Sequence, residues 1–285
     1  MANSGPFVFL NGRFVARTDA TLDIEDRGSL FGDGVYEVLR YYGGKALAMD
    51  AHVERLCRSL NAIRLNPGNM IDTIGEQSDS LARRNGFENA LMYWHVSRGS
   101  APRSHPIPDN ITPTILMIAY PEAAVTIDTP PQEVAAAFSE DVRWHHCSIK
   151  SLMLLPAVLA QDSARRSGDD HAILHRGSTV TEGAAHNVFA IREGVVWTHP
   201  ADQWILAGIT RQLVIDIART CDLIVREEAF TTTFLKNADE VLLTGTSTHV
   251  AAVVRLDDTV IGDGHAGPVS RQLQRGLMEM ATRQP

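Results

Sequence analysis

The feature that most constrains the fold is a proline-rich break near the middle of the chain. Residues 120–131 hold three prolines among small and polar residues, a composition typical of a linker between domains. The 285 residues are enough for two parts that each bury a core. We predict an N-terminal domain at residues 1–120, a linker at residues 121–131 and a C-terminal domain at residues 132–285.

Both parts mix strand patterns with helix patterns, so we predict an α+β fold. The pair Asn11-Gly12 between two apolar runs predicts a β-hairpin, and Asp50 is predicted to cap a helix with apolar residues at three- and four-residue steps. A strand is predicted at residues 142–146. The helices predicted in the C-terminal part are residues 152–167, 209–220 and 268–282.

Charge and cysteine content exclude several classes of function. The formal net charge is −8 and the pI about 5.7, which argues against a general binder of nucleic acid or anionic membranes. The longest apolar run, residues 152–160, is too short to span a bilayer. The N-terminus lacks a signal-peptide pattern, and the three cysteines are too scattered for a disulfide framework or a metal knuckle. We expect a cytoplasmic protein with no metal, membrane or nucleic-acid partner.

Lysine is scarce, which narrows the search for a reactive amine. Lys45 follows two glycines and Lys236 lies in a polar stretch, so both are expected at the surface. Lys150 stands between a predicted strand and an apolar helix, where burial favours the neutral, nucleophilic amine. Schiff-base chemistry with a carbonyl substrate or pyridoxal phosphate needs such an amine. The alternative is a structural lysine whose stem lies along apolar surface.

Two further segments could contact a ligand. Glu182, between Thr181 and Gly183, is either a carboxylate near a planar ligand or part of a surface turn. Ile209 and Thr210 open a helix, whose free amides and positive dipole end bind phosphate, although an ordinary helix cap has the same sequence. Residues 244–248 are rich in hydroxyls and could bind the same anion.

A basic loop follows the strand predicted near residue 95. It carries Arg98, Arg103 and His105. A guanidinium matches a carboxylate with two parallel hydrogen bonds, so this loop is a candidate carboxylate receptor. The alternative is a solvated basic loop.

Taken together, these segments resemble the fold type IV pyridoxal-phosphate-dependent aminotransferases, and within them the D-amino acid aminotransferases. The resemblance covers nearly the whole chain. It implies a small N-terminal α/β domain and a larger, β-barrel-like C-terminal domain with helices. The motifs that carry it are DRGSLFGDGVYEV at residues 26–38, IKSL at 149–152, VTEG at 180–183 with NVF at 187–189, and GITR at 208–211.

This resemblance implies a role for each candidate residue. Lys150 matches the Schiff-base lysine, and Glu182 matches the residue that pairs with the pyridine nitrogen of pyridoxal 5′-phosphate. The other implied cofactor contacts are Arg55, Ile209, Thr210 and Thr246 on the phosphate and Leu206 at the ring.

The substrate is implied by fewer residues. Tyr36, Arg103 and His105 match the trio that holds the substrate carboxylate in D-amino acid aminotransferases, which exchange an amino group between a D-amino acid and a 2-oxo acid. Branched-chain L-amino acid aminotransferases, (R)-amine transaminases and aminodeoxychorismate lyases share the fold and typically lack the Arg-x-His loop. The resemblance also implies a homodimer in which this loop reaches the neighbouring subunit.

The sequence departs from the family pattern at two places. Residues 184–186 read Ala-Ala-His where D-amino acid aminotransferases commonly carry serines, and Gly245 replaces a hydroxyl residue near the phosphate. Both departures bear on the substrate range and the rate rather than on the cofactor.

Overall fold

A computed structural model describes residues 4–283, which divide into two compact units. Unit 1 contains residues 4–125 together with Ile149–Met153. Unit 2 contains Thr126–Ser148 and Leu154–Arg283. Between residues 4 and 283 the chain therefore passes from one unit to the other three times, and the first passage lies within the proline-rich segment.

Unit 1 is built on a six-stranded antiparallel sheet. Its strands are β1 (Phe7–Leu10), β2 (Arg13–Ala16), β3 (Gly34–Tyr42), β4 (Lys45–Ala46), β5 (Ala90–Ser97) and β6 (Thr114–Pro121). Their order in the sheet is β2-β1-β6-β5-β3-β4. The helices are α1 (Arg27–Phe31), α2 (Met49–Ala62) and α3 (Ile74–Arg84), with 3-10 turns at Arg17–Asp19 and Gly68–Thr73.

Local sequence signals account for much of unit 1. The predicted hairpin is confirmed, because Asn11 and Gly12 both adopt the positive φ that its two-residue turn needs. The predicted cap at Asp50 is wrong. The N-cap of α2 is Ala48, with φ of 54°, and Asp50 lies inside the first turn, where its charge still complements the helix dipole.

Unit 2 contains a curled, half-barrel sheet of nine strands. The strands are β7 (Gln132–Glu140), β8 (His171–Arg176), β9 (Thr179–Gly183), β10 (Asn187–Arg192), β11 (Val195–Thr198), β12 (Ile224–Glu227), β13 (Glu240–Gly245), β14 (His249–Leu256) and β15 (Thr259–Val260). Their order is β12-β11-β10-β13-β14-β7-β8-β9, with β15 paired to β14. The helices are α4 (Leu155–Arg166), α5 (Ile209–Thr220), α6 (Thr232–Lys236) and α7 (Pro268–Thr282). The predicted α+β fold is thus confirmed.

Two predictions in the C-terminal part are corrected. Residues 142–146 form no strand, because their side chains serve separate partners: Arg143 folds back onto Asp141, and His145 packs on Trp204. Helix α4 begins at Leu155 rather than at residue 152, with Pro156 in its first turn, where proline's missing amide is tolerated.

Residues 4–283 contain neither a candidate membrane span nor a candidate metal centre. No helix between residues 4 and 283 is long and apolar enough to cross a membrane. The same residues contain no cluster of three or more His, Cys, Asp or Glu side chains arranged to hold a metal ion.

Candidate active site

Lys150 lies on an extended segment, Ile149–Met153, that runs beside β3. The Tyr36 amide donates to the Lys150 carbonyl at 3.0 Å, and the Leu152 amide donates to the Gly34 carbonyl at 3.0 Å. Gly34 permits this approach, since a Cβ there would lie 2.7 Å from a Leu152 methyl. The backbone of Lys150 is therefore fixed by pairing with a strand, rather than by the start of a helix.

The Lys150 side chain is half-buried in unit 1 and lies against an aromatic ring. Its Nζ is 4.2 Å from the centroid of Tyr36, a cation–π contact. Lys150, predicted to supply the amine, and Tyr36, predicted to contact the substrate, are therefore neighbours. The other two lysines lie as expected: Lys45 is exposed, and Lys236 is partly exposed and paired with Asp257 at 2.8 Å.

Arg55 is held in place by a buried carboxylate on β3. Glu37 is fully buried and accepts hydrogen bonds from Arg55 Nε at 2.7 Å, Arg55 Nη2 at 2.8 Å and His52 Nδ1 at 2.9 Å. Burial alone raises the pKa of Glu37, but Arg55 and His52 outweigh it and lower this pKa to about 2. Arg55, on α2, is thus held in a fixed orientation against β3, the strand that also carries Tyr36.

Glu182 ends β9 and is 4% exposed, so the surface-turn alternative is excluded. Its Oε1 accepts from Arg143 Nη1 at 2.5 Å, and its Oε2 accepts from Asn187 Nδ2 at 3.1 Å and the Leu206 amide at 3.0 Å. Burial raises the pKa of Glu182 to about 7, and Arg143 opposes that shift. All three partners are donors, an environment that suits the ionised carboxylate.

Arg143 is a residue that the sequence reasoning missed. It forms a two-pronged pair with Asp141, through Nε and Nη2 at 2.9 Å each, while its third nitrogen reaches Glu182. Asp141 is held in turn by Arg176 Nε at 3.2 Å and Thr181 Oγ1 at 3.0 Å. No periodic pattern marks Arg143, because it lies outside any strand or helix. The Asp-x-Arg spacing shortly before the lysine is the one signal available.

The start of α5 is a suitable phosphate-binding element. Its N-cap, Gly208, supplies no side-chain cap, so no side chain of the cap residue competes for the first amides of the helix, at Ile209 and Thr210. A Cβ at Gly208 would collide with Asn187 Oδ1. Asn187 Nδ2 also donates to the Leu206 carbonyl at 2.8 Å, so one amide ties the segment before α5 to Glu182.

Residues 244–248, at the end of β13 and in the turn before β14, supply further hydroxyls. Thr246 lies in this turn, and Thr244, 2% exposed, has a hydroxyl with no hydrogen-bond partner among residues 4–283. A buried hydroxyl without a hydrogen-bond partner in the protein is costly, and a polar atom of a ligand is suited to supply the missing bond.

The two departures from the family pattern prove to be neighbours. A Cβ at Gly245 would lie 3.1 Å from His186 Cδ2, so the glycine leaves the space that the imidazole fills. His186 Nε2 lies 2.8 Å from Thr248 Oγ1, and its ring packs edge-on against His171 at 4.6 Å. Burial lowers the pKa of His186 to about 3, so the ring is neutral at physiological pH. His186 therefore presents an uncharged ring beside the turn that carries Thr246.

Arg103 and His105 lie on an exposed loop of unit 1 and are brought together by Phe31. The Arg103 guanidinium is 5.3 Å and the His105 ring 5.6 Å from the Phe31 centroid. Arg98, the other basic residue considered for this role, is buried and paired with Asp33 at 2.9 Å, so it is a structural residue instead.

With this fold and these residues in view, the chain belongs to the class IV aminotransferases, whose family model matches residues 34–256. The cofactor of this family is pyridoxal 5′-phosphate, and the chain is a pyridoxal-phosphate-dependent aminotransferase.

Over nearly its whole length the chain is similar to D-alanine aminotransferases. The chain is 42% identical to a D-alanine aminotransferase of Staphylococcus haemolyticus over 270 residues, covering 95% of this chain and 96% of that relative. It is 41% identical to a D-alanine aminotransferase of Listeria monocytogenes serotype 1/2a, covering 97% and 96% of the two chains.

Solved structures resemble the fold over nearly its whole length. The branched-chain aminotransferase from the thermophilic archaeon Thermoproteus uzoniensis, solved with norvaline, is 26% identical, with a TM-score of 0.86 and coverage of 97% of this chain and 94% of that one. The branched-chain amino acid aminotransferase from Escherichia coli is 25% identical, with a TM-score of 0.89 and coverage of 98% and 95%.

Proposed function

We propose that this protein transfers an amino group between a D-amino acid, such as D-alanine, and a 2-oxo acid. The observation that carries the proposal is its 42% identity, over 95% of the chain, to a D-alanine aminotransferase. The Arg103–His105 loop supports it, since two basic side chains ordered on one ring suit a carboxylate.

Several of the described residues have side chains or backbone amides that suit a part of pyridoxal 5′-phosphate. When bound, the cofactor supplies a ring that withdraws electrons from the reacting carbon. We propose that Lys150 Nζ would hold the cofactor covalently and, once the substrate amine has displaced it, would as a free amine carry a proton from the reacting carbon. Glu182, surrounded by donors and buried, is suited to hold a proton on the ring nitrogen. Its pairing with Arg143 favours the ionised form of that carboxylate and so opposes the effect of burial.

The phosphate would be held by separate elements of the chain. The contacts we propose are Arg55 on α2, the amides of Ile209 and Thr210 at the uncapped start of α5, and Thr246 in the turn after β13. Leu206 is proposed to contact the ring. Its amide bond to Glu182 supports this role, because it keeps Leu206 beside the carboxylate that serves the ring nitrogen.

The substrate carboxylate is assigned to three residues of unit 1. We propose that Tyr36, Arg103 and His105 bind it, with Arg103 supplying the guanidinium fork. The proximity of Tyr36 to Lys150, at 4.2 Å, supports a role next to the reacting amine.

We also propose a homodimer. In unit 2, helix α4 exposes an apolar face on which Leu155 is 67%, Val158 56% and Leu159 59% exposed. A contiguous set of exposed aliphatic side chains at helical spacing marks an interaction surface. A second copy of the chain is the partner that the family resemblance favours, with the Arg103–His105 loop serving the neighbouring subunit.

For its location we propose the cytoplasm. Cys57, Cys147 and Cys221 are free thiols, as a protein of a reducing compartment would keep them.

A second candidate is transamination of branched-chain L-amino acids, which the structural similarity to the Thermoproteus uzoniensis and Escherichia coli enzymes favours. The discriminating experiment is an absorbance spectrum of the holoenzyme before and after adding D-alanine or, separately, L-leucine. If the visible absorbance band of the bound cofactor is lost with D-alanine alone, the result supports the proposal. If it is lost with L-leucine alone, the result selects the second candidate. Lys150→Ala is the control, since it should show neither response.

A further inference from the structure

We propose that Arg27 is a positioning residue for substrate recognition: its guanidinium holds the backbone of the loop that carries Arg103 and His105. The inference rests on the proposed function, because it assigns to this loop the binding of a substrate carboxylate. It concerns a residue that would touch neither the substrate nor the cofactor.

The contact that carries the inference joins α1 to the loop. Arg27 Nη1 donates to the Ser104 carbonyl at 2.6 Å, and Nη2 donates to the His105 carbonyl at 3.3 Å. Within residues 4–283 no other side chain donates a hydrogen bond to these two carbonyls. Arg27 is 3% exposed although its loop partners are exposed, so it is an internal anchor for a surface loop.

Arg27 is itself fixed by a buried ionic network. Its Nε pairs with Asp33 Oδ2 at 2.8 Å, and Arg98 Nε pairs with the same oxygen at 2.9 Å. The terminal nitrogens of Arg98 donate to the carbonyls of Ile63 and Arg64, just after α2. The third nitrogen of the Arg27 fork is thus tied to the body of unit 1, and the other two face the loop.

Phe31 orders the side chains of the loop while Arg27 orders its backbone. The Arg27 guanidinium lies 4.8 Å from the Phe31 centroid, and Arg103 and His105 rest on the same ring. Helix α1 is anchored by Asp26, which accepts from the Gly28 amide at 2.8 Å and from Ser97 Oγ at 2.9 Å. One short helix therefore supports both carboxylate-binding side chains.

Holding the loop in one conformation lowers the entropy cost of binding the substrate carboxylate. The loop between β5 and β6 has no helix or strand at residues 98–113, so the order of Arg103 depends on its supports. A guanidinium already held in one orientation loses less conformational entropy when it binds a carboxylate. Loss of the Arg27 anchor is therefore expected to weaken substrate affinity and to spare the chemical step.

The test is a steady-state comparison of holoenzymes with D-alanine as the amino donor. Arg27→Met should raise the KM for D-alanine roughly tenfold, the scale of one charge-assisted hydrogen bond, with kcat within about twofold and unchanged affinity for pyridoxal phosphate. Asp33 keeps Arg98 as its partner in this variant. Arg84→Met is the matched control, because Arg84 also lies on a phenylalanine ring, Phe14, at 4.4 Å, and should change nothing.

A double-mutant cycle separates positioning from general damage. Arg103→Ala removes the group that Arg27 is proposed to position, so adding Arg27→Met to it should raise the KM by less than about twofold more. An unchanged KM in Arg27→Met, or full additivity with Arg103→Ala, overturns the inference. If Arg27→Met does not fold, the same cycle with Arg27→Lys, which keeps a charge beside Asp33 but loses the guanidinium fork to the two carbonyls, decides by the same criteria. Wild-type enzyme that does not turn over D-alanine would instead contradict the proposed function.

Discussion

The pair formed by Arg143 and Glu182 gives the sharpest prediction. Arg143→Met removes the charged donor from Glu182 Oε1 and leaves the carboxylate with two neutral donors, Asn187 and the Leu206 amide. Glu182 stays buried, so nothing replaces the lost charge. The variant should therefore hold Glu182 in its protonated form over a wider pH range.

The size of the effect follows from the geometry. Two unit charges about 4 Å apart at an effective dielectric of about 20 interact by about 4 kcal/mol, or about three pKa units. Arg143 is shared with Asp141, so we expect a net rise of about two units above the Glu182 pKa of about 7. Asp141 keeps Arg176 as its charged partner, and its own negative charge still raises the Glu182 pKa in the same direction.

The assay is the pH dependence of the half-reaction with D-alanine. The acidic limb of the profile for Arg143→Met should move up by about two pH units, and the rate at pH 7 should fall roughly 50-fold, because the ionised fraction of Glu182 falls from about one half to about one hundredth. Arg143→Lys should recover part of the loss, because it keeps a positive charge. Arg166→Met, on the exposed Arg166–Asp162 pair of α4, is the control. An acidic limb that stays in place, while Glu182→Gln abolishes the reaction, would refute the reasoning.

Three further predictions concern stability and cofactor affinity. The free energy of unfolding should fall as the pH drops from about 4.5 to about 2, because the pKa of Glu37 is lowered to about 2 in the folded chain. In acid denaturation curves Glu37→Gln should make the free energy of unfolding less dependent on pH, and an unaltered slope would contradict this prediction. Glu240→Ala removes a carboxylate that accepts hydrogen bonds from the Val269 and Ser270 amides at the start of α7. Urea titration should show that the free energy of unfolding falls by about 2 kcal/mol, and a fall of less than about 0.5 kcal/mol would contradict this. Gly245→Ser should weaken the binding of pyridoxal phosphate, because the added side chain crowds His186. Adding His186→Ser to this variant should restore the affinity, which fluorescence titration of the apoenzyme measures. If the affinity does not recover, the two positions act independently.

Short-range patterns anticipated the elements well. Helices α5 and α7 have the predicted bounds, because each starts next to a glycine or proline and then keeps one apolar face toward the core. The hairpin at Asn11-Gly12 follows from two backbone angles that few other residue pairs adopt. The strand predicted at residues 142–146 does not form. The side chains of this segment contact separate partners, and no neighbouring strand within residues 4–283 pairs with its backbone.

Site geometry was less predictable, because its decisive contacts join residues far apart in the chain. Arg143 meets Glu182 over 39 positions, and Arg27 meets the His105 carbonyl over 78. Sequence reasoning found the candidate site residues through their family motifs and assigned them roles, which stay predictions. It missed Arg143 and Arg27 as supports, since their importance lies in which distant group each one orients.

The path of the chain has a consequence for any attempt to divide the protein. A fragment that ends at Val125 contains all six strands of the first sheet but lacks Ile149–Met153, the segment with Lys150 that pairs beside β3. A fragment that begins at Thr126 contains the lysine but lacks the strand that fixes its backbone. No single cut therefore separates the two units, and any fragment that is to keep Lys150 paired beside β3 must run from that strand through Met153.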